Sequence, residues 1–374
     1  MPEFIKKLIA GAVVVIMALY GVVGMSSNVS NDYTEGKYKN VILMIGDGMS
    51  QNHIEATKDL TGVDQLAMEN AAVKCYSDID SFMLPFTDSA AGGTALATGI
   101  RVWSNSVAVY PFVPINVDDT PVPLTLCELA KTRGMAAGVV TTDATSGATP
   151  SDFSAHVYSR EMEPEISADQ LVSDIDLIWG AKSDSINREN TAANGYTYIG
   201  DRDELMALGA GSKSFAQFDS VDLKYTTDNN NTPTLEEMTN KAIEILDADE
   251  DGFFLMIEGA CIDKFSHENN MDGVTLATTE FSKAVAAAVA FAEKDGETLV
   301  VVTADHGTGG IKPDGNGGWK FTHDTHNITD VPVFVFAEDA GFKAGKEIQN
   351  RQIAVQIARV LGFGKNEFPA QKLS

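Results

Sequence analysis

Apolar residues fall along this chain in short unbroken runs, separated by longer stretches with helical spacing. The runs are 39–45 (KNVILMI), 135–141 (MAAGVVT), 253–257 (FFLMI), 298–303 (TLVVVT) and 331–336 (VPVFVF). Continuous rather than alternating runs predict strands covered on both faces. Apolar spacing predicts helices over 89–98, 124–132, 235–246, 276–293 and 348–360. Strands alternating with helices predict an α/β fold with a mostly parallel central sheet and helices on both faces. Such a sheet gathers its ligand-binding residues at the carboxyl ends of its strands. The residues just after the runs therefore carry the interest: Asp47 after the first, Glu258 after the third, Asp305 and His306 after the fourth. The polar stretches 228–231 (DNNN) and 310–318 (GIKPDGNGG) predict loops. With no internal repeat or shift in composition, 37–374 is expected to form one domain.

The N-terminal residues read differently. Lys6 and Lys7 precede an apolar run over 8–24, and polar residues follow from Ser26. This is the layout of a secretory signal peptide, expected over 1–26, and it predicts an exported protein, periplasmic or extracellular. No A-x-A cleavage pattern stands there, so an uncleaved anchor is the alternative, although a membrane span takes about 20 residues.

Composition narrows the function classes. The chain has 53 acidic and 27 basic residues and a formal net charge of -26. A field of that sign repels nucleic acid and anionic membranes, which argues against a nucleic-acid-binding module and against membrane association beyond an uncleaved leader. It also repels phosphate esters, so phosphate chemistry here needs local positive charge. The three cysteines, Cys75, Cys127 and Cys261, allow at most one bridge, and burial as small apolar residues is the simpler role.

The candidate chemistry lies at the strand ends. Glu258, Asp263 and His267 share one short segment, EGACIDKFSH. Carboxylate and imidazole clusters of this kind suit zinc, and magnesium where oxygen dominates. Asp88 and Ser89 open the small-residue helix predicted over 89–98. A helix N-terminus favours phosphate, while a serine there also has the plain reading of an N-cap.

Read in order, IGDGMS, TDSAAGGTA, GATP with SR after it, EGACIDKFSH, TADHGTGG and a late histidine resemble the alkaline phosphatase family, from about residue 40 to 332. The resemblance implies hydrolysis of phosphate monoesters to alcohol and inorganic phosphate through a phosphoserine, with two zinc ions and one magnesium. It implies Ser89 as nucleophile and as a ligand of the second zinc, with Asp47, Asp305 and His306. Asp263, His267 and the late histidine match the first zinc; family spacing before Pro332 selects His326 over His323. Asp47, Thr149 and Glu258 match the magnesium ligands, Arg160 the phosphate clamp, and Lys264 a lysine that in some members touches phosphate through water. One position departs: Gly147, two residues before Thr149, stands where the family carries Asp or His, which predicts a weak magnesium site. The short 307–325 stretch resembles the compact members, with monomer and homodimer both open. A sulfatase needs a C/S-x-P-x-R context that Ser89, followed by Ala-Ala-Gly-Gly, does not have. A phosphodiesterase of the same superfamily is the alternative; it usually carries threonine as nucleophile and lacks a clamp of the Arg160 type. A non-catalytic metal- or phosphate-binding protein fits poorly with a complete nucleophile and ligand set.

Overall fold

The structure, a computed structural model, describes residues 35–112, 121–219 and 231–373. The leader expected over 1–26 lies outside them, as does the 228–231 stretch apart from Asn231. The strands of the main sheet are, in chain order, β1 Asn40–Gly46, β2 Val73–Ser77, β3 Ala136–Ala144, β4 Leu177–Ala181, β5 Thr197–Ile199, β6 Ser214–Phe218, β7 Phe253–Gly259, β8 Thr298–Thr303, β9 Val331–Val335 and β10 Glu347–Ile348. Their spatial order is β10-β2-β9-β8-β1-β7-β3-β4-β6-β5. Pairing is parallel except around β9, which runs antiparallel to β2 and β8.

The apolar runs explain the layering. In β1, Val41, Leu43 and Ile45 enter one core cluster, while Ile42 and Met44 enter another on the opposite face. A strand with both faces covered cannot alternate in polarity, which is why these runs are continuous. Register then aligns their ends. Ile45 pairs with Glu258 on one side and with Thr303 on the other, and Thr141 of β3 pairs with Glu258. Asp47, Glu258 and Asp305 thus arrive together at the carboxyl ends of three adjacent central strands.

The helix Ser89–Thr98 is held at both ends and buried throughout. Asp88 caps it by accepting the Ala91 N–H at 3.2 Å, and Gly99 closes it with φ 72°. Its small residues let it lie against the loop after β8: a Cβ at Gly92 would sit 2.9 Å from the Asp305 carbonyl oxygen. Cys75, Cys127 and Cys261 are buried, and none of them is in a disulfide bond. The 310–318 stretch is partly ordered into a small hairpin, in which Lys312–Pro313 pairs with Trp319–Lys320.

The C-terminal strand Gln371–Leu373 pairs with Pro121–Pro123 and brings Lys372 onto Glu128. His156 Nε2 lies 3.0 Å from the same carboxylate. Burial alone would raise the Glu128 pKa, but His156 and Lys372 outweigh it and hold it down to about 2, below the ordinary 4.5. A depressed folded-state pKa stabilises above the unfolded value and loses that contribution as pH falls through the folded one. Wild type should therefore lose stability between about pH 4.5 and 2 that Glu128→Gln does not lose. Urea midpoints at pH 7 and pH 3 test this; an unchanged difference between the two proteins at both pH values would contradict it.

Candidate active site

Asp47 follows β1 directly. Its Oδ1 is buried, makes no hydrogen bond and lies 3.5 Å from His306 Nε2. Asp305 Oδ1 accepts the N–H groups of Gly48 at 3.1 Å and His306 at 2.9 Å. Its Oδ2 is buried without a hydrogen bond, 3.3 Å from His306 Nε2. Ser89 Oγ is 3.2 Å from the same nitrogen. Buried polar atoms normally find partners, so two orphaned carboxylate oxygens aimed at one imidazole nitrogen beside a hydroxyl form a fitting donor set for zinc.

A second cluster adjoins the first. Asp263 and His267 share one face of the short helix Cys261–His267, four residues apart. His326 reaches them because the strand His326–Asn327 pairs with Gly307–Thr308. Asp263 Oδ2 is 3.3 Å from His267 Nε2, and its Oδ1 is 3.8 Å from His326 Nε2. His267 Nδ1 donates to the Asp324 carbonyl at 2.6 Å and His326 Nδ1 to the Thr87 carbonyl at 3.2 Å. The two Nε2 atoms therefore face each other across 3.1 Å. A proton or a divalent cation resolves that contact. The hydrogen bond to Asp263 raises His267 to about 9, while burial lowers His306 and His326 to about 4. Main-chain partners on Nδ1 fix the tautomer that leaves Nε2 for a metal.

Oxygen dominates on the other side of Asp47. Glu258 is buried at the end of β7, where it accepts the Thr141 hydroxyl. Burial and then the charge of Asp143 push it up to about 8. Thr149 Oγ1 is buried without a well-formed hydrogen bond, close enough to Glu258 for its hydroxyl to favour the ionised carboxylate. Burial, followed by the charges of Asp305, Asp263 and Glu258, pushes Asp47 well above the usual carboxylate range.

Cationic groups face these carboxylates. Arg160 is held by its N–H to the Asn105 carbonyl at 2.8 Å and by Nη1 to Asp88 Oδ2 at 3.4 Å. Asp88 thus ties the arginine to the start of the Ser89 helix. Lys264 is paired with Asp143.

The structure brings Asp47, Ser89, Thr149, Arg160, Glu258, Asp263, Lys264, Asp305, His306, His267 and His326 to one end of the sheet. His323 belongs to neither histidine–carboxylate cluster. His53 lies buried between Ser50 and Ser266, and His156 serves Glu128. Sequence reasoning missed Thr308. Its hydroxyl donates to Asp263 Oδ1 and lies 3.2 Å from His306 Nδ1, so it orients one residue of each cluster. Its place in the TADHGTGG segment was the available signal. Asp143, four residues before Gly147, was also missed.

The sequence model described as alkaline phosphatase matches residues 38–180 and 167–368. Alkaline phosphatase 3 of Bacillus subtilis is 33% identical over 346 residues, covering 85% of this chain and 73% of that protein. Alkaline phosphatase of Escherichia coli is 31% identical over 335 residues, covering 72% and 70%. The solved alkaline phosphatase of the Antarctic bacterium TAB5 superposes with a TM-score of 0.74 at 26% identity, covering 89% of this chain and all of that one.

Proposed function

This chain belongs to the alkaline phosphatase family and is a phosphatase of phosphate monoesters, and from that premise we propose that it works in two displacements through a phosphoryl group carried on Ser89. One observation supports the reading most: the Ser89 hydroxyl, at a helix N-terminus, shares His306 Nε2 with the orphaned oxygens of Asp47 and Asp305. The donor sets fit two zinc ions, one at Asp47, Ser89, Asp305 and His306, the other at Asp263, His267 and His326, with magnesium at Asp47, Thr149 and Glu258. Bound there, the metals would supply Lewis acidity, lowering the pKa of a serine hydroxyl and offsetting charge on the reacting oxygens.

The protein's own groups do the rest. Ser89 Oγ attacks phosphorus and loses its proton, the ester P–O bond breaks, and the departing alcohol oxygen takes up a proton. Water then attacks the same phosphorus, the serine oxygen leaves and regains a proton, and inorganic phosphate is released. The Arg160 guanidinium, tethered to Asp88, presents a planar fork that grips two phosphoryl oxygens. The N–H groups opening the Ser89 helix favour the same anion. These groups overcome, locally, the repulsion of a chain with net charge -26. The leader-like stretch 1–26 supports placing this activity outside the cytoplasm.

A monoester offers the clamp one more free oxygen than a diester. We expect p-nitrophenyl phosphate to be turned over far faster than bis-p-nitrophenyl phosphate. Charge-assisted hydrogen bonds contribute about 1.5–3 kcal/mol, so Arg160→Ala should raise KM for the monoester about 10- to 100-fold and narrow the preference. A wild-type enzyme faster on the diester would replace this reading with the phosphodiesterase one.

A further inference from the structure

Gly147 is not a glycine for its own backbone's sake. Its φ of -58° and ψ of 163° suit any residue. What chiefly excludes a side chain is Asp143. A Cβ at Gly147 would lie 2.3 Å from Asp143 Oδ2 and 2.7 Å from its Cγ, an overlap that real atoms do not tolerate, whereas the Ala144 carbonyl oxygen at 3.0 Å would have to give only slightly. The Asp143 carboxylate fills the space from which a residue-147 side chain would start.

That carboxylate is fixed in place. Its Oδ1 accepts the Ala144 N–H at 2.8 Å and pairs with Lys264. The Asp143 N–H donates to Thr141 Oγ1 at 2.8 Å, and that hydroxyl donates to Glu258. Oδ2 remains turned toward Gly147. The surroundings contain further buried oxygens: Thr149 is 1% exposed, with no well-formed hydrogen bond at Oγ1, and Asp47, 7% exposed, has a second carboxylate oxygen besides the Oδ1 that lies 3.5 Å from His306 Nε2. Buried oxygen donors beside two more carboxylates are what a hard divalent cation requires. The charge of Asp143 is also the strongest single charge acting on Glu258.

We propose that Asp143 supplies the missing carboxylate to the magnesium position of Asp47, Thr149 and Glu258, and that Gly147 is the vacated position that admits it. The ligand has moved from the start of the helix Ala148–Asp152 to the end of β3, four residues earlier. This rests on the phosphatase reading above and reverses the expectation of a weak third site. It assigns Asp143 two contacts: Oδ1 to Lys264, and Oδ2 toward the cation.

The test uses the full enzyme loaded with zinc. Magnesium affinity is measured by titration calorimetry with magnesium chloride, and metal content by elemental analysis after gel filtration. Asp143→Asn keeps shape and volume but removes the charge; it should weaken magnesium binding at least tenfold with zinc content unchanged. Gly147→Asp should weaken it too, because two side chains then compete for one space. Asp143→Ala with Gly147→Asp should recover most of the affinity, a sign reversal that a general folding defect would not give. The proposal is overturned if Asp143→Asn binds magnesium as wild type does, if it raises only KM for phosphate esters through Lys264, or if zinc-loaded, active wild type binds no magnesium. Failure of the phosphatase reading shows separately, as wild type that takes up no zinc and turns over no monoester.

Discussion

Ser89→Ala is expected to lower turnover of p-nitrophenyl phosphate on the order of 10^3-fold or more and to eliminate the covalent phosphoenzyme. The size follows from what the substitution removes and what it leaves. The helix Ser89–Thr98 is capped by Asp88, not by Ser89, so alanine keeps the cap and improves local helix propensity. The fold should therefore survive, and the loss reads as chemistry. Asp47, Asp305 and His306 remain to hold a cation, and Arg160 remains to hold phosphate. A residual rate from direct attack by water is consistent with that, since binding and electrostatic stabilisation persist without the nucleophile. Acid quenching with substrate labelled in the phosphoryl group should trap the label on wild type alone. Label retained in the variant, or turnover within tenfold of wild type, would refute the assignment of Ser89.

Prolonged chelation should have the other large effect: activity falling to background, and a melting temperature several degrees lower, both restored by zinc and magnesium. Asp47, Glu258, Asp263 and Asp305 are buried together, and burial with mutual repulsion holds Asp47 high, Glu258 near 8 and Asp305 near 6. Cations relieve that repulsion in the folded state only. A ligand at 1,000 times its dissociation constant stabilises the folded state by about 4 kcal/mol, and this site would hold more than one. Because main-chain carbonyls of Asp324 and Thr87 keep His267 and His326 oriented, reloading should not require refolding. Differential scanning calorimetry with parallel rate assays provides the check. Full activity after exhaustive dialysis against a chelator, or a melting temperature that does not fall, would contradict the metal assignment.

The sequence was most informative where one strand does one job. β1, β7 and β8 are covered on both faces, so each appears as an unbroken apolar run whose end points at Asp47, Glu258 or Asp305. β2 lies near the sheet's edge with exposed Lys74 and Tyr76 between buried neighbours, and its short alternation did not stand out. β4 (LIWGA) and β6 (SFAQF) are buried but short, and carry Gly180 and Gln217 within them. The 310–318 stretch predicts a loop, and the hairpin that overlaps it escapes notice because its strands are two residues each and its centre is glycine-rich. At the site, residue identities were legible and their second contacts were not. The carbonyls that orient His267 and His326 belong to the main chain, which any residue provides. Asp143 became visible only when the fold set it against a glycine four residues away.

The contact of Gly92 with the Asp305 carbonyl has a consequence for how this enzyme can change. It leaves no slack between the helix that presents Ser89 and the strand end that presents Asp305 and His306. The reacting centre is machined to a fixed clearance, one helix resting on one loop without an intervening side chain. Adaptation to another temperature or another ester therefore has little room to act there. It has room at the surface, in the small hairpin 312–320 and around the exposed Met83, Phe86 and Phe112, where shape can drift while the clearance stays as it is.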